Sequence, residues 1–99
     1  MTLEVRLRAE AEEDLADAAA WYEEQRPSLG KEFLDCVLSA FESIAERPRM
    51  YPTVHRGTRR ALVQRFPFGI YYCIKKDSIV VVAVMHASRN PGLWKQRTQ

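Results

Sequence analysis

Residues Arg26-Pro27-Ser28-Leu29-Gly30 divide two stretches of helical periodicity, and this short break constrains the fold more than any other feature. Before it, Ala11, Leu15, Ala18 and Tyr22 recur on one helical face from about Ala9, with Ala19 and Trp21 flanking. Six alanines favour helix there, and the early acids Glu10, Glu12, Glu13 and Asp14 suit the positive end of its dipole. After the break, Phe33, Leu34, Val37, Leu38, Phe41, Ile44 and Ala45 repeat at three and four, ending near Arg47 before Pro48. Pro27 disfavours helix at Arg26, and Ser28 or Gly30 can open the second helix. Two helices joined by so few residues must be antiparallel neighbours.

The rest of the chain reads as strands. Leu3 to Arg8 alternates apolar and charged residues, the period of a half-buried strand. Three more strands are predicted, over about Thr58–Gln64, Phe68–Lys75 and Ser78–His86. Lys75-Lys76-Asp77-Ser78 is a turn, and Pro48 to Gly57 reads as irregular. Ile79 to Met85 is apolar at seven successive positions, which predicts a central strand covered on both faces. The expected fold is α+β, a single domain over residues 1–99 in the order β-α-α-β-β-β. Its helical hairpin packs on one face of a small, mostly antiparallel sheet. Tyr71, Phe66 and the C-terminal tail are candidates to cover part of the other face, and a partner chain the rest.

Charge divides with the elements. Residues 1–47 hold twelve acids against five bases, net −7, whereas residues 48–99 hold ten bases against one acid, Asp77, net +9. A basic half on a domain this small points to an anionic partner. The seven-residue apolar run is far short of the roughly 20 that cross a bilayer, and the charged N-terminus carries no signal-peptide pattern. Cys36 and Cys73 sit in apolar patterns without a second ligand at metal spacing, so they read as free thiols in a reducing cytoplasm. Neither a metal nor a cofactor is implied.

Groups suited to chemistry gather in the second half. Arg59 and Arg60 open a strand and therefore point to opposite faces, so they cannot serve one site. Arg65 follows them, and His86, Arg89 and Lys95 come at the end of the last strand. An imidazole at a strand end is either a cap on a backbone carbonyl or an exposed phosphate contact or general acid. His55, in the irregular segment, carries little signal. Trp21 and Trp94 read as packing residues rather than stacking platforms.

The chain resembles toxins of the RelE/ParE superfamily, from bacterial type II toxin–antitoxin pairs. The resemblance rests on Asp14-Leu15, Ala18, Trp21-Tyr22-Glu23, Leu29-Gly30, Phe33, Pro48, Tyr51-Pro52, Arg60, Phe66-Pro67-Phe68, Ile70-Tyr71-Tyr72, His86-Ala87-Ser88-Arg89-Asn90-Pro91 and Trp94. It implies growth arrest when the protein is unopposed, and neutralisation by a cognate ParD-like or RelB-like antitoxin. ParE-like members poison DNA gyrase, while RelE-like members cut mRNA on the ribosome. The nuclease branch would place Arg60, His86, Arg89 and Glu46 at the phosphate. Here Ala87 stands where some nucleases keep a tyrosine, and Lys75 and Lys76 lie in a turn. The long hairpin with its Trp-Tyr pair, Phe66-Pro67-Phe68 and the His86…Arg89 ending favour the ParE-like, gyrase-directed branch. A module that binds an antitoxin without arresting growth is the third reading. Arg59, Arg60, Arg65, Trp94 and Lys95 are the expected contacts with antitoxin or target.

Overall fold

The computed structural model describes residues 2–89 and 91–98. Strand β1 (Glu4–Leu7) leads directly into helix α1 (Ala9–Gln25), which is followed by α2 (Leu29–Glu46). Strands β2 (Thr53–His55), β3 (Thr58–Leu62), β4 (Phe68–Ile74) and β5 (Ser78–His86) come next, then a short helix α3 (Gly92–Lys95) and a 3₁₀ turn, Gln96–Thr98. The sheet order is β1-β5-β4-β3-β2, with β1 parallel to β5 and every other pair antiparallel. The predicted order of elements is therefore observed, with additions in the middle and at the end.

The hairpin turns where the sequence breaks. Ser28 adopts a left-handed backbone (φ 71°), and the Glu23 carboxylate accepts the backbone N–H groups of Ser28 (2.9 Å) and Gly30 (3.0 Å). Donors that α2 leaves unpaired at its start are thus met by an acid from α1. The helices touch closely at Gly30, where a Cβ would fall 2.6 Å from the Ala19 carbonyl oxygen.

Against the sheet, the hairpin buries Phe33, Val37 and Ile44 over Ile70, Tyr72, Ile79 and Val81. Tyr72 is fully buried, and its hydroxyl donates to the Pro48 carbonyl at 2.6 Å, fixing the chain that leaves α2. Burial pushes this phenol up to about 12.

Strand β5 lies between β1 and β4 over Ser78–Val81 and is apolar on both faces, as its sequence predicts, and a bulge shapes it. Tyr71 pairs with Ala83 but Tyr72 with Val81, which leaves Val82 without a partner in β4. The extra residue resets the alternation, so Ile79, Val81 and Val84 all join the helix-side core. Val82, Ala83 and Met85 join a second cluster with Tyr71 and Trp94 on the opposite face. The tail covers that face, with the Trp94 ring stacked on Tyr71 at 4.5 Å and 19°.

Two details differ from the sequence reading. Part of the Pro48–Gly57 segment is a strand: β2 pairs with β3 through Arg56 (φ 40°) and Gly57 (φ 80°). Two positive φ values in a two-residue loop match the twist of a hairpin, and Gly57 accommodates one of them freely. Phe66 does not cover the second face. It turns into the helix-side core, edge-on to Tyr22 (4.9 Å) and Phe33 (5.2 Å), because Arg65 before it takes a left-handed backbone (φ 71°).

Candidate partner-binding groove

A groove of about 700 Å³ runs between α1 and the far end of the β4–β5 pair. The helix contributes Asp14, Asp17, Ala18, Trp21 and Tyr22. The sheet and the turn beyond it contribute Pro67, Phe68, Val84, Met85, His86, Ser88 and Arg89. The floor is mainly apolar, one wall is acidic and the other carries the imidazole and the guanidinium. Trp21 is 56% exposed, so it is a groove residue and not the packing residue its sequence position suggests. Its neighbour Tyr22 anchors it: the two rings meet edge-on at 5.1 Å, and Tyr22 packs on Phe33 at 5.1 Å.

His86 ends β5 opposite Phe68 and stays exposed, with the two rings 5.7 Å apart. Its Nδ1 accepts the Ser88 backbone N–H at 3.2 Å and lies 2.7 Å from the Ser88 hydroxyl oxygen. Accepting that N–H keeps Nδ1 bare, so the neutral ring carries its proton on Nε2. The turn is closed by the Arg89 N–H, which donates to the His86 carbonyl at 2.9 Å. Asn90, in the same motif, lies outside the described residues.

Sequence reasoning overlooked the group that organises this end of the sheet. Asp14 accepts the Val84 N–H at 3.0 Å and a two-pronged contact from Arg97, at 2.6 and 3.3 Å. The Arg97 guanidinium also donates to the Val82 carbonyl at 3.1 Å. Among the described residues no strand pairs with this edge of β5 beyond Val81, because β1 ends there with Leu7. Asp14 and Arg97 satisfy the backbone groups that β1 leaves free. The signal was available: position 14 falls three residues after Ala11 and four before Ala18, so its charge sits on the buried stripe of α1.

The remaining candidate residues do not converge on the groove. Arg60 of β3 pairs with Tyr71 of β4, and its methylenes pack over Gly69 on the face opposite the hairpin. His86 belongs to the hairpin side, so the two groups offered to one phosphate stand on different faces. Glu46 is farther still. It follows Ala45, whose carbonyl accepts the Leu3 N–H beside the start of β1, and Glu4 pairs with Ser78. Ser78 begins β5 and His86 ends it, so roughly 26 Å of strand at ~3.3 Å per residue separates the two ends. Glu46 is therefore not placed as a base for His86.

Arg59 points to the hairpin side, as the alternation predicts, and donates to the carbonyls of Tyr51 (2.6 Å) and Arg49 (3.2 Å). Arg65 pairs with Glu32 of α2 at 2.8 Å, a carboxylate that also takes Arg26 at 2.9 Å. These two arginines hold the Glu32 carboxyl below its usual range. Trp94 is only 5% exposed, which corrects its assignment as a surface contact: it packs the second face. Lys95 lies over the outside of that ring, 5.9 Å from its centre. Nearby, His55 meets Trp94 edge-on at 6.1 Å, and its pKa is lowered by burial and then by Lys95 and Arg56. Among the described residues no cluster of His, Cys, Asp or Glu could hold a metal, both cysteines are free thiols, and no helix is long and apolar enough to cross a membrane.

Comparison with known proteins now bears on this geometry. Residues 5–91 match the family described as the ParE toxin of the type II toxin–antitoxin system parDE. Among solved structures, a chain of the chromosomal ParDE toxin–antitoxin system of P. aeruginosa superposes with a TM-score of 0.76 at 15% identity, covering 86% of this chain and 96% of that one. A chain of the toxin–antitoxin complex RelBE2 of Mycobacterium tuberculosis superposes with a TM-score of 0.60 at 22% identity, covering 87% and 99%. At these identities the likeness speaks for the fold. No curated protein sequence matches the chain.

Proposed function

The chain belongs to the ParE toxin family of type II toxin–antitoxin systems, and from that premise we propose that it arrests growth by poisoning DNA gyrase and is neutralised by a cognate antitoxin. The observation that supports a non-nucleolytic toxin is the dispersal of the groups RNA cleavage needs. Cutting RNA requires a base, a phosphate contact and an acid around one phosphorus atom. Here Arg60 and His86 lie on opposite faces of the sheet, and Glu46, at the end of α2, lies by the opposite end of β5 from His86. His86 and Arg89 alone share a site, and Asp17 on its other wall would repel a phosphate backbone.

The same groove suits a peptide. Its floor takes apolar anchors, Arg89 and His86 match an acid, and Asp17 matches a base. We read this as the seat of the antitoxin, in keeping with the P. aeruginosa and M. tuberculosis relatives, which belong to toxin–antitoxin systems. Gyrase is a cytoplasmic target, and two unpaired cysteines fit that compartment.

The test runs two assays on the purified protein. Gyrase supercoiling should be inhibited, or cleaved DNA should accumulate, at micromolar toxin, while translated mRNA stays whole. Intact gyrase activity together with codon-linked mRNA cuts would replace this reading with the ribosome-dependent nuclease. No effect in either assay and no loss of viability on induction would leave an antitoxin-binding module.

A further inference from the structure

We propose that the Asp14–Arg97 ion pair is a latch coupling the groove to the closure of the C-terminal segment over the second sheet face. The inference concerns regulation of the groove described above and rests on the reading that the groove takes a partner.

The two residues are 83 positions apart and both largely buried, with side chains 16% and 22% exposed. Asp14 lines the groove, yet its carboxylate is occupied from behind by Arg97 and by the Val84 N–H. Arg97 is itself held on three sides. Its guanidinium reaches Asp14 and the Val82 carbonyl, and its own carbonyl accepts from Arg8 at 2.6 Å. Three residues earlier, Trp94 stacks on Tyr71. The segment from Gly92 to Thr98 is thus tied at two points, one on each side of the sheet's free edge.

The pair is closed in this structure, and the latch opens when Arg97 is withdrawn. Withdrawing Arg97 leaves the part-buried Asp14 carboxylate without its cation, an unfavourable state. Another cation can take its place, and the groove is the open approach to Asp14. An occupant that offers a Lys or Arg to Asp14 therefore competes with Arg97 and loosens the tail. A tail that stays closed raises the cost of that contact. The linkage is reciprocal by necessity: whatever opens the tail must alter the groove.

The chain has two tryptophans, one at each end of this coupling: Trp21 in the groove and Trp94 under the tail. Their indole N–H signals in ¹⁵N-labelled protein report both sites without any ligand, so the outcome is independent of what the groove binds. In Arg97→Ala the Trp94 signal should move towards its unfolded position, and amide exchange across residues 92–98 should rise at least tenfold. The Trp21 signal and the His86 imidazole signals should move as well. Asp14→Asn should reproduce both changes. Arg97→Lys, which keeps the charge but loses the fork, should show the same changes at smaller amplitude and serves if Arg97→Ala does not fold. Unchanged tail exchange would show that Arg97 is no latch. Movement of Trp94 with Trp21 and His86 stationary would show that the two sites are not coupled.

Discussion

Arg60 and His86 stand on opposite faces of one sheet, with β4 between their strands. Groups so placed share no partner, and substitutions at such sites add independently to within about 0.5 kcal/mol. Arg60→Ala and His86→Ala should therefore combine without synergy: in titrated expression, the double variant's shift in arresting dose should equal the product of the single shifts to within about twofold. Two residues acting on one phosphate would instead show a double variant no worse than the more damaging single one. A viability titration of the four proteins separates these outcomes.

Trp21 supplies the second prediction. It is an exposed aromatic over an apolar floor, the arrangement from which binding hot spots are built. Trp21→Ala should change stability to urea by less than about 1 kcal/mol, as exposed substitutions do. It should weaken antitoxin binding by at least 2 kcal/mol, roughly thirtyfold. Titration calorimetry with the cognate antitoxin measures the affinity. Equal affinity in the two proteins would move the antitoxin off this groove.

The sequence carried the hairpin and the order of elements along the chain plainly, since periodicity, Pro27 and Pro48 act within a few residues. Tertiary choices were less visible. Phe66 and Trp94 are aromatic residues near breaks in the pattern, and only Arg65's left-handed backbone decides that Phe66 enters the helix-side core. The bulge at Val82 cannot be read from an all-apolar run, because every residue there tolerates either face. Arg60, His86 and Glu46 looked compatible with one site because residue type and order say nothing about which face or end of a sheet each occupies. Asp14 is the contrary case: a charge on an apolar stripe predicts a buried partner, although not that the partner is 83 residues away.

Tyr72 makes stability sensitive to alkali. Its phenol is pushed up to about 12 in the folded chain from the usual 10.0. The unfolded chain therefore releases this proton first, and the contribution is complete below pH 10 and lost as pH rises towards 12. The loss across that window is on the order of 2 kcal/mol. Tyr72→Phe should be less stable at neutral pH by about 1–3 kcal/mol, since the Pro48 carbonyl loses its donor. It should also show a shallower decline between pH 10 and 12. Urea midpoints measured across that range test both statements, and parallel slopes in the two proteins would assign the decline to other groups.

Gly30 tests whether hairpin packing positions the groove. An alanine there would bring Cβ to 2.6 Å from the Ala19 carbonyl oxygen and 3.0 Å from the Glu23 carboxylate that caps α2. The first of these contacts is with backbone, so α1 and α2 must separate. Overpacking of this kind costs about 1–3 kcal/mol. Because α1 carries Asp14, Asp17, Ala18, Trp21 and Tyr22, its displacement should also weaken partner binding. Gly57→Ala is the matched control. Gly57 has φ 80° with nothing within 4 Å of an added Cβ, so only its backbone conformation is penalised, by about 1 kcal/mol, and the groove is untouched. Chemical denaturation with affinity measurement on both variants distinguishes the cases: loss of stability and affinity in Gly30→Ala, against loss of stability alone in Gly57→Ala. Equal affinity in Gly30→Ala would mean that the position of α1 relative to α2 does not set the groove.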